Sequence, residues 1–186
     1  KRGTGELPGV VYEAVMYEAY GPGGVAILVD SLTDNKNRTT AEIRNIMSKK
    51  GGNMAGAGAV SWMFTQKGYI SVAKESIKED ELMNIVLDAG AEDMKHEGET
   101  YEIYTAIADL EKVKQALTDK GIKWIDAELT MIPSSTIKVT GHEAKQVLSL
   151  VETLEDHDDV QQVYANFDIP DEIFDEVASE NDYRGD

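Results

Sequence analysis

The 186-residue chain contains no cysteine, four prolines and three histidines. Without cysteine there are no disulfides, thiolate zinc sites, iron–sulfur clusters or cysteine nucleophiles. His96, His142 and His157 form no His-x-x-x-His pair and adjoin no nucleophile motif, so Ser-His-Asp hydrolysis and histidine-rich metal centres have no support. The longest apolar runs, such as Val25 to Val29, fall far short of the ~20 residues a membrane span needs. No basic-then-apolar signal peptide opens the sequence. Positive charge is scarce as well: 18 Lys and Arg stand against 35 acids, a net charge of -17. A surface this acidic repels nucleic acid over most of its area, because phosphate binding draws on Lys and Arg.

What is present reads as a folded, soluble, intracellular protein. Hydrophobic residues make up 41% of the chain, enough to bury a core. The charge is uneven: residues 151–186 hold 13 acids and one base, Arg184, whereas residues 1–70 hold eight bases and six acids. The acidic end from Asp171 reads as a short helix fraying into solvent, and residues 1–8 and 183–186 as flexible ends.

Alternation predicts strands over Val10–Tyr20 and Val25–Leu32, joined through Gly21-Pro22-Gly23-Gly24, where proline presets φ and glycine accepts positive φ. A helix follows with Thr39 and Glu42 at capping-box spacing and Ala41, Ile43, Ile46 and Met47 as its apolar stripe, ended by Gly51-Gly52. Asn53 to Gly58 reads as a loop before a strand at Val60–Phe64; it lacks the Gly-Lys-Ser/Thr of a P-loop. Lys67-Gly68 is expected to turn the chain into a further strand, Tyr69–Ala73.

From Tyr69 the pattern is βαββαβ. A helix with Ser76 and Glu79 as a second capping box buries Leu82, Ile85, Val86 and Ala89; strands follow near Glu92–His96 and Tyr101–Thr105. A helix from Leu110 to Lys120 and a strand over Ile125–Met131 close the unit. A last helix, with Thr140 and Glu143 as a third capping box, buries Ala144, Val147, Leu148, Val151 and Leu154 before a strand over Gln162–Phe167. That pair has no sheet of its own, so it is expected to return to the first one. The fold class is therefore α+β: two ferredoxin-like α/β-sandwich domains, the second inserted into the first. The expected domains are 9–67 plus 135–182, discontinuous, and 68–134, inserted through two crossing points that could act as a hinge.

Between Asn35 and Lys50 lie five bases, Lys36, Arg38, Arg44, Lys49 and Lys50, and one acid, Glu42. On so acidic a chain this run is the best candidate for touching a polyanion, with Asn35, Asn37 and Thr40 as supporting hydrogen-bond donors. Glu155-Asp156-His157-Asp158-Asp159 is the densest set of potential metal ligands, but it lacks the alternating Asp and central Gly of a calcium loop and reads as a solvated helix end. No metal, cofactor or catalytic residue is expected.

Tyr17-Glu18-Ala19-Tyr20-Gly21-Pro22-Gly23-Gly24, Asp34-Asn35-Lys36-Asn37-Arg38-Thr39, Gly51-Gly52-Asn53, Met131-Ile132-Pro133-Ser134 and Leu154-Glu155-Asp156-His157-Asp158-Asp159-Val160-Gln161 occur in this order. The set resembles the YebC/PmpR family, which includes the mitochondrial translational activator of cytochrome oxidase subunit I. Ala19 stands where Gly is common in the family and Trp62 where Tyr is common. The resemblance implies a chain lacking the family's basic N-terminal helical domain, with Lys1-Arg2-Gly3 similar to that domain's tail. It implies a non-enzymatic regulator of gene expression, either a DNA-binding transcriptional regulator or a ribosome-associated translation factor. Its partners would be DNA or ribosomal RNA, gripped mainly through the missing N-terminal domain, and the ribosome; membranes are excluded. The location would be cytoplasmic, or the mitochondrial matrix for the organellar member. Two other classes compete: a small-ligand-sensing α+β module without nucleic-acid contact, supported by fold analogy alone, and a metal-dependent enzyme using residues 155–159.

Overall fold

The structure, a computed structural model, describes residues 9–170. The helix expected from Asp171 and both terminal segments, 1–8 and 183–186, lie outside these residues. The chain forms two compact units, one from residues before 65 and after 132, the other from Thr65–Ile132.

In the first unit, β1 (Glu13–Tyr20), β2 (Ala26–Thr33), β3 (Asn53–Ala55) and β9 (Val160–Ala165) form a sheet in the order β3-β1-β2-β9. β1 pairs antiparallel with β2 and β3, and β2 with β9. The sheet puts Tyr17 opposite Val29, which faces Val163, and Ala19 opposite Ile27, which faces Ala165. These residues share one face because strand side chains alternate. Helices α1 (Lys36–Lys49) and α4 (Gly141–Glu155) cover that face, contributing Ile43, Met47, Val147, Leu150 and Leu154 to the same core. Each of these five is fully buried, worth roughly 1.5–3 kcal/mol apiece. β8 (Ile137–Lys138) pairs parallel with β10 (Phe167–Asp168) beside it.

The second unit is βαββαβ: β4 (Phe64–Ala73), α2 (Glu79–Asp88), β5 (Ala91–Glu97), β6 (Thr100–Thr105), α3 (Leu110–Asp119) and β7 (Asp126–Pro133). Its sheet order is β5-β6-β4-β7, the ferredoxin-like arrangement. Ile70, Val72, Leu82, Val86, Ile103, Val113 and Leu117 form its core. The first unit reaches the same sheet-and-helix layout along a different path, with β1 occupying the place that the third strand takes in the second unit.

Several local expectations need correction. None of the three capping boxes forms. α1 starts at Lys36 with Asn35 as N-cap, its Oδ1 accepting from the Arg38 amide at 3.1 Å. Ser76 lies in a short 3-10 turn ahead of α2, whose cap position is Lys78, and Thr140 caps α4 without a side-chain hydrogen bond. Val60–Phe64 is not a strand: Ser61–Met63 is a 3-10 turn. β4 then runs straight through Lys67-Gly68. Gly68 is there for close approach, since a Cβ would sit 2.2 Å from Thr105 Oγ1 and 3.0 Å from Leu110 Cβ. Leu150, absent from the expected face of α4, is fully buried.

Candidate functional site

α1 ends on a Schellman turn: Gly51 adopts φ 83° and the Gly52 amide reaches back to the Met47 carbonyl at 2.8 Å. A Cβ at Gly52 would stand 2.9 Å from the Tyr20 carbonyl oxygen, so this glycine lets the helix end press on β1. The turn brings Lys50 against the middle of α4, where its Nζ donates to Ser149 Oγ at 3.1 Å.

The cationic run divides in space. With about 100° per residue, Arg44 and Lys49 point roughly 140° apart around the helix. Lys36, Asn37, Arg44 and Lys49 are exposed. Arg38 is not a free cation: its Nη2 lies 2.8 Å from Asp159 Oδ2 and 3.1 Å from Asp34 Oδ1, and its Nε 3.9 Å from Glu42. The hydrogen bond to Asp159 raises the Arg38 pKa further, with the charges of Asp159 and Asp34 adding to it. Thr40 is drawn inward, sharing a 2.8 Å hydrogen bond with the Tyr17 hydroxyl, and the Asn35 carboxamide oxygen is spent on the cap.

Asp159, 4% exposed at its side chain, is the hub at this end of α1. Thr39 Oγ1 donates to it at 2.8 Å and is itself 2.7 Å from Thr33 Oγ1. Burial alone would raise this carboxyl, yet the hydrogen bonds from Thr39 and Arg38, with the charge of Arg38, hold it below the usual range. His157 Nδ1 accepts from the Asp159 amide at 3.1 Å, so the proton sits on Nε2 and is donated to Glu42 Oε2 at 2.5 Å. Glu42, His157 and Asp159 thus bring three potential ligand atoms within 4.8 Å of one another. Their polar atoms are already engaged by the protein's own donors and acceptors, and a metal would have to displace Arg38. Glu155, Asp156 and Asp158 do not join this group.

The opposite end of the helix pair differs. A groove of about 550 Å³ is lined by Ser48, Lys49 and Lys50 from the end of α1 and by His142, Lys145 and Ser149 from α4, with Gly51 and Gln146 completing it. None of its lining residues is acidic. The first turn of α4 borders it, and backbone amides at a helix start favour anions. Lysine ammonium groups, hydroxyls and an amide facing one trough suit a phosphate or another oxyanion. Sequence reading reached Lys49 and Lys50 but missed Ser48, His142, Lys145, Gln146 and Ser149. The 92-residue interval between Lys50 and His142 hides their proximity, and only the return of α4 to the first sheet hinted at it.

A further carboxylate does structural work in this unit. Glu18, 7% exposed, accepts from the amides of Gly58 at 2.6 Å, Ser61 at 2.7 Å and Val60 at 3.0 Å. Burial pushes its pKa up, but the three amides outweigh that and leave it lowered. The loop after β3 is therefore pinned over the sheet face that α1 and α4 leave open.

Comparison with known proteins places this geometry. Residues 12–167 match a family model described as TACO1/YebC second and third domain. A "Probable transcriptional regulatory protein" of Dictyoglomus turgidum is 54% identical over 178 residues, spanning 95% of this chain and 72% of that protein. A protein of the same description from Syntrophobacter fumaroxidans is 51% identical over 179 residues, spanning 96% and 72%. The crystal structure of a conserved hypothetical protein from Aquifex aeolicus superposes with a TM-score of 0.81 at 45% identity, covering 91% of this chain and 70% of that one.

Proposed function

The chain belongs to the TACO1/YebC family, and from that membership we propose that it is a non-enzymatic regulator of gene expression that holds nucleic-acid phosphates in the groove between α1 and α4. The observation that carries this reading is the acid-free lining of that groove on a chain with 35 acids and 18 Lys and Arg. Lys49, Lys50 and Lys145 supply charge; Ser48, Gln146 and His142 supply hydrogen bonds; Lys36 and Arg44 extend the cationic surface along α1. Contacts of this kind read backbone and shape. Phosphate contacts carry no sequence information, which favours structured RNA or non-specific duplex contact over sequence readout at this groove. Arg38 plays no part in the grip, because Asp159 and Asp34 already balance its charge.

The test is the double substitution Lys49→Glu and Lys145→Glu. Counterion release gives a slope of about 0.9 per phosphate contact, or roughly an eightfold affinity change per lysine at 0.1 M salt. The double variant should therefore bind duplex DNA and structured RNA at least about 50-fold more weakly, with a shallower salt dependence. Unchanged affinity would remove the groove. Sequencing the nucleic acid cross-linked to the protein in cells then chooses the target: ribosomal RNA selects translation, promoter DNA selects transcription.

A further inference from the structure

The second unit carries eight lysines, no arginine and fifteen acids, yet four of the lysines gather at one of its ends. Lys78 lies at the start of α2, Lys114 on α3, and Lys120 and Lys123 in the segment after α3. Two adjoining depressions open there, sharing Gly121, Ile122 and Lys123. The larger, about 680 Å³, places Lys78, Lys120 and Lys123 around Ile77, Ile85 and Ile122, with Glu81 as its one acidic lining residue. The smaller, about 400 Å³, is an apolar recess against Trp124 and Thr118. Trp124 is half-buried on the core of the unit, and Lys114 Nζ stands 5.5 Å from its ring centroid while also pairing with Glu111 at 3.3 Å. Gly121 adopts φ 71° with open space where a Cβ would be, so the rim of the recess is unobstructed backbone.

We propose that this end of the second unit takes single-stranded nucleic acid, with one unstacked base in the Trp124–Ile122 recess and its flanking phosphates on Lys78, Lys120 and Lys123. An aromatic ring beside a short cationic rim is the pairing that sequence-tolerant single-strand sites use, because every base has an apolar face and every linkage a charge. A duplex keeps its bases stacked inside and cannot fill the recess. Glu79, Asp80 and Asp119 adjoin Lys78 and Lys120 in the chain, but only Glu81 lines the groove, and acids more than about 8 Å away are largely screened at physiological salt. The inference rests on the reading that the protein handles nucleic acid, but it concerns a different surface from the α1–α4 groove.

The chain has two tryptophans, Trp62 and Trp124. Trp62 is 71% exposed, so Trp62→Phe leaves Trp124 as the sole indole reporter with little structural cost. Titrating this variant with a single-stranded oligoadenylate should give saturable quenching, with the matched duplex much weaker and adenosine monophosphate weaker still. Lys120→Glu with Lys123→Glu should abolish the quenching, and Trp124→Leu should weaken binding of a labelled single strand about tenfold. Absence of quenching, or full binding by the double lysine variant, overturns the proposal. Equal affinity for the mononucleotide overturns the strand assignment in favour of a small-nucleotide pocket. Lys49→Glu with Lys145→Glu, run alongside, separates the two surfaces: loss there with no Trp124 quenching sinks only this inference, and the reverse sinks only the first groove.

Discussion

Asp159→Asn tests the assignment of Arg38 and Asp159 to structure. The carboxylate accepts two hydrogen bonds at 2.8 Å, one from buried Thr39 and one from Arg38. A hydrogen bond to a charged acceptor contributes about 1.5–3 kcal/mol and a neutral one about 1. Neutralising the acceptor therefore costs about 0.5–2 kcal/mol on the Thr39 side. The Arg38 side adds little, because solvent competes for an exposed guanidinium. A loss of about 2 kcal/mol corresponds to roughly 4–8 °C in a chain of this size. The loss must also depend on pH in one direction. The folded state lowers the Asp159 pKa, so the carboxylate is favoured by folding. Its stabilisation is complete above the unfolded value of about 3.9 and fades as pH falls through the lowered folded value. Calorimetry or urea unfolding at pH 7 should show the variant less stable, with the gap closing as the pH is taken below about 4. The same variant should bind polyanions as well as or better than the parent, since a carboxylate is gone and Arg38 is released. Equal stability at pH 7, a gap that persists in acid, or weakened nucleic-acid binding would each refute the assignment.

Glu18→Gln should cost about 1–3 kcal/mol and speed hydrogen exchange specifically at the amides of Gly58, Val60 and Ser61, which the carboxylate now holds; unchanged exchange there would show that the loop is pinned by something else. Gly68→Ala should destabilise the second unit by about 1–3 kcal/mol or more, seen as a lower melting transition, because the added methyl collides with Thr105 and Leu110; a neutral effect would contradict the close packing. Alkaline spectrophotometric titration should find Tyr69 and Tyr104 ionising late. Burial, aided by Glu102, pushes Tyr69 up to about 12 and Tyr104 higher still. Glu102→Gln should advance both only part of the way, whereas full recovery to about 10 would show that burial is not the larger cause.

The second unit was legible because its signals are local. Leu82 and Val86, then Val113 and Leu117, repeat at helical spacing within single segments, and glycine ends each helix. The misreadings arise where a residue's partner is far along the chain. Thr39 looks like a cap three residues before Glu42, but its hydroxyl is taken by Asp159, 120 residues away. Gly68 looks like a turn residue because its real constraint, Leu110, is invisible to a window around it. Arg38 looks as available as the other cations of its run for the same reason. Spacing rules describe what a side chain can do with its neighbours; they are silent where tertiary contact offers a stronger partner.

The charge pattern follows the same logic and explains how an acidic chain can keep a cationic trough. α1 and α4 lie side by side with opposite sense: Arg38 and Glu42 meet Asp159 and His157 at one end, and Lys50 meets Ser149 toward the other. Along α4, His142 and Glu155 are separated by about 20 Å of helix at about 1.5 Å per residue. That is more than two screening lengths of about 8 Å at physiological salt, so Glu155 and the acids just after it, Asp156, Asp158 and Asp159, contribute little field at the groove. Arg38, held by Asp159, also neutralises part of that acidic end before its field can spread. Sequence position alone mixes the two ends, because Arg38 and Lys49 belong to one basic run and His142 and Asp159 to one acidic stretch. The fold re-sorts them, pairing Arg38 with Asp159 at one end of the helix pair and bringing Lys49, Lys50 and Lys145 to one groove at the other.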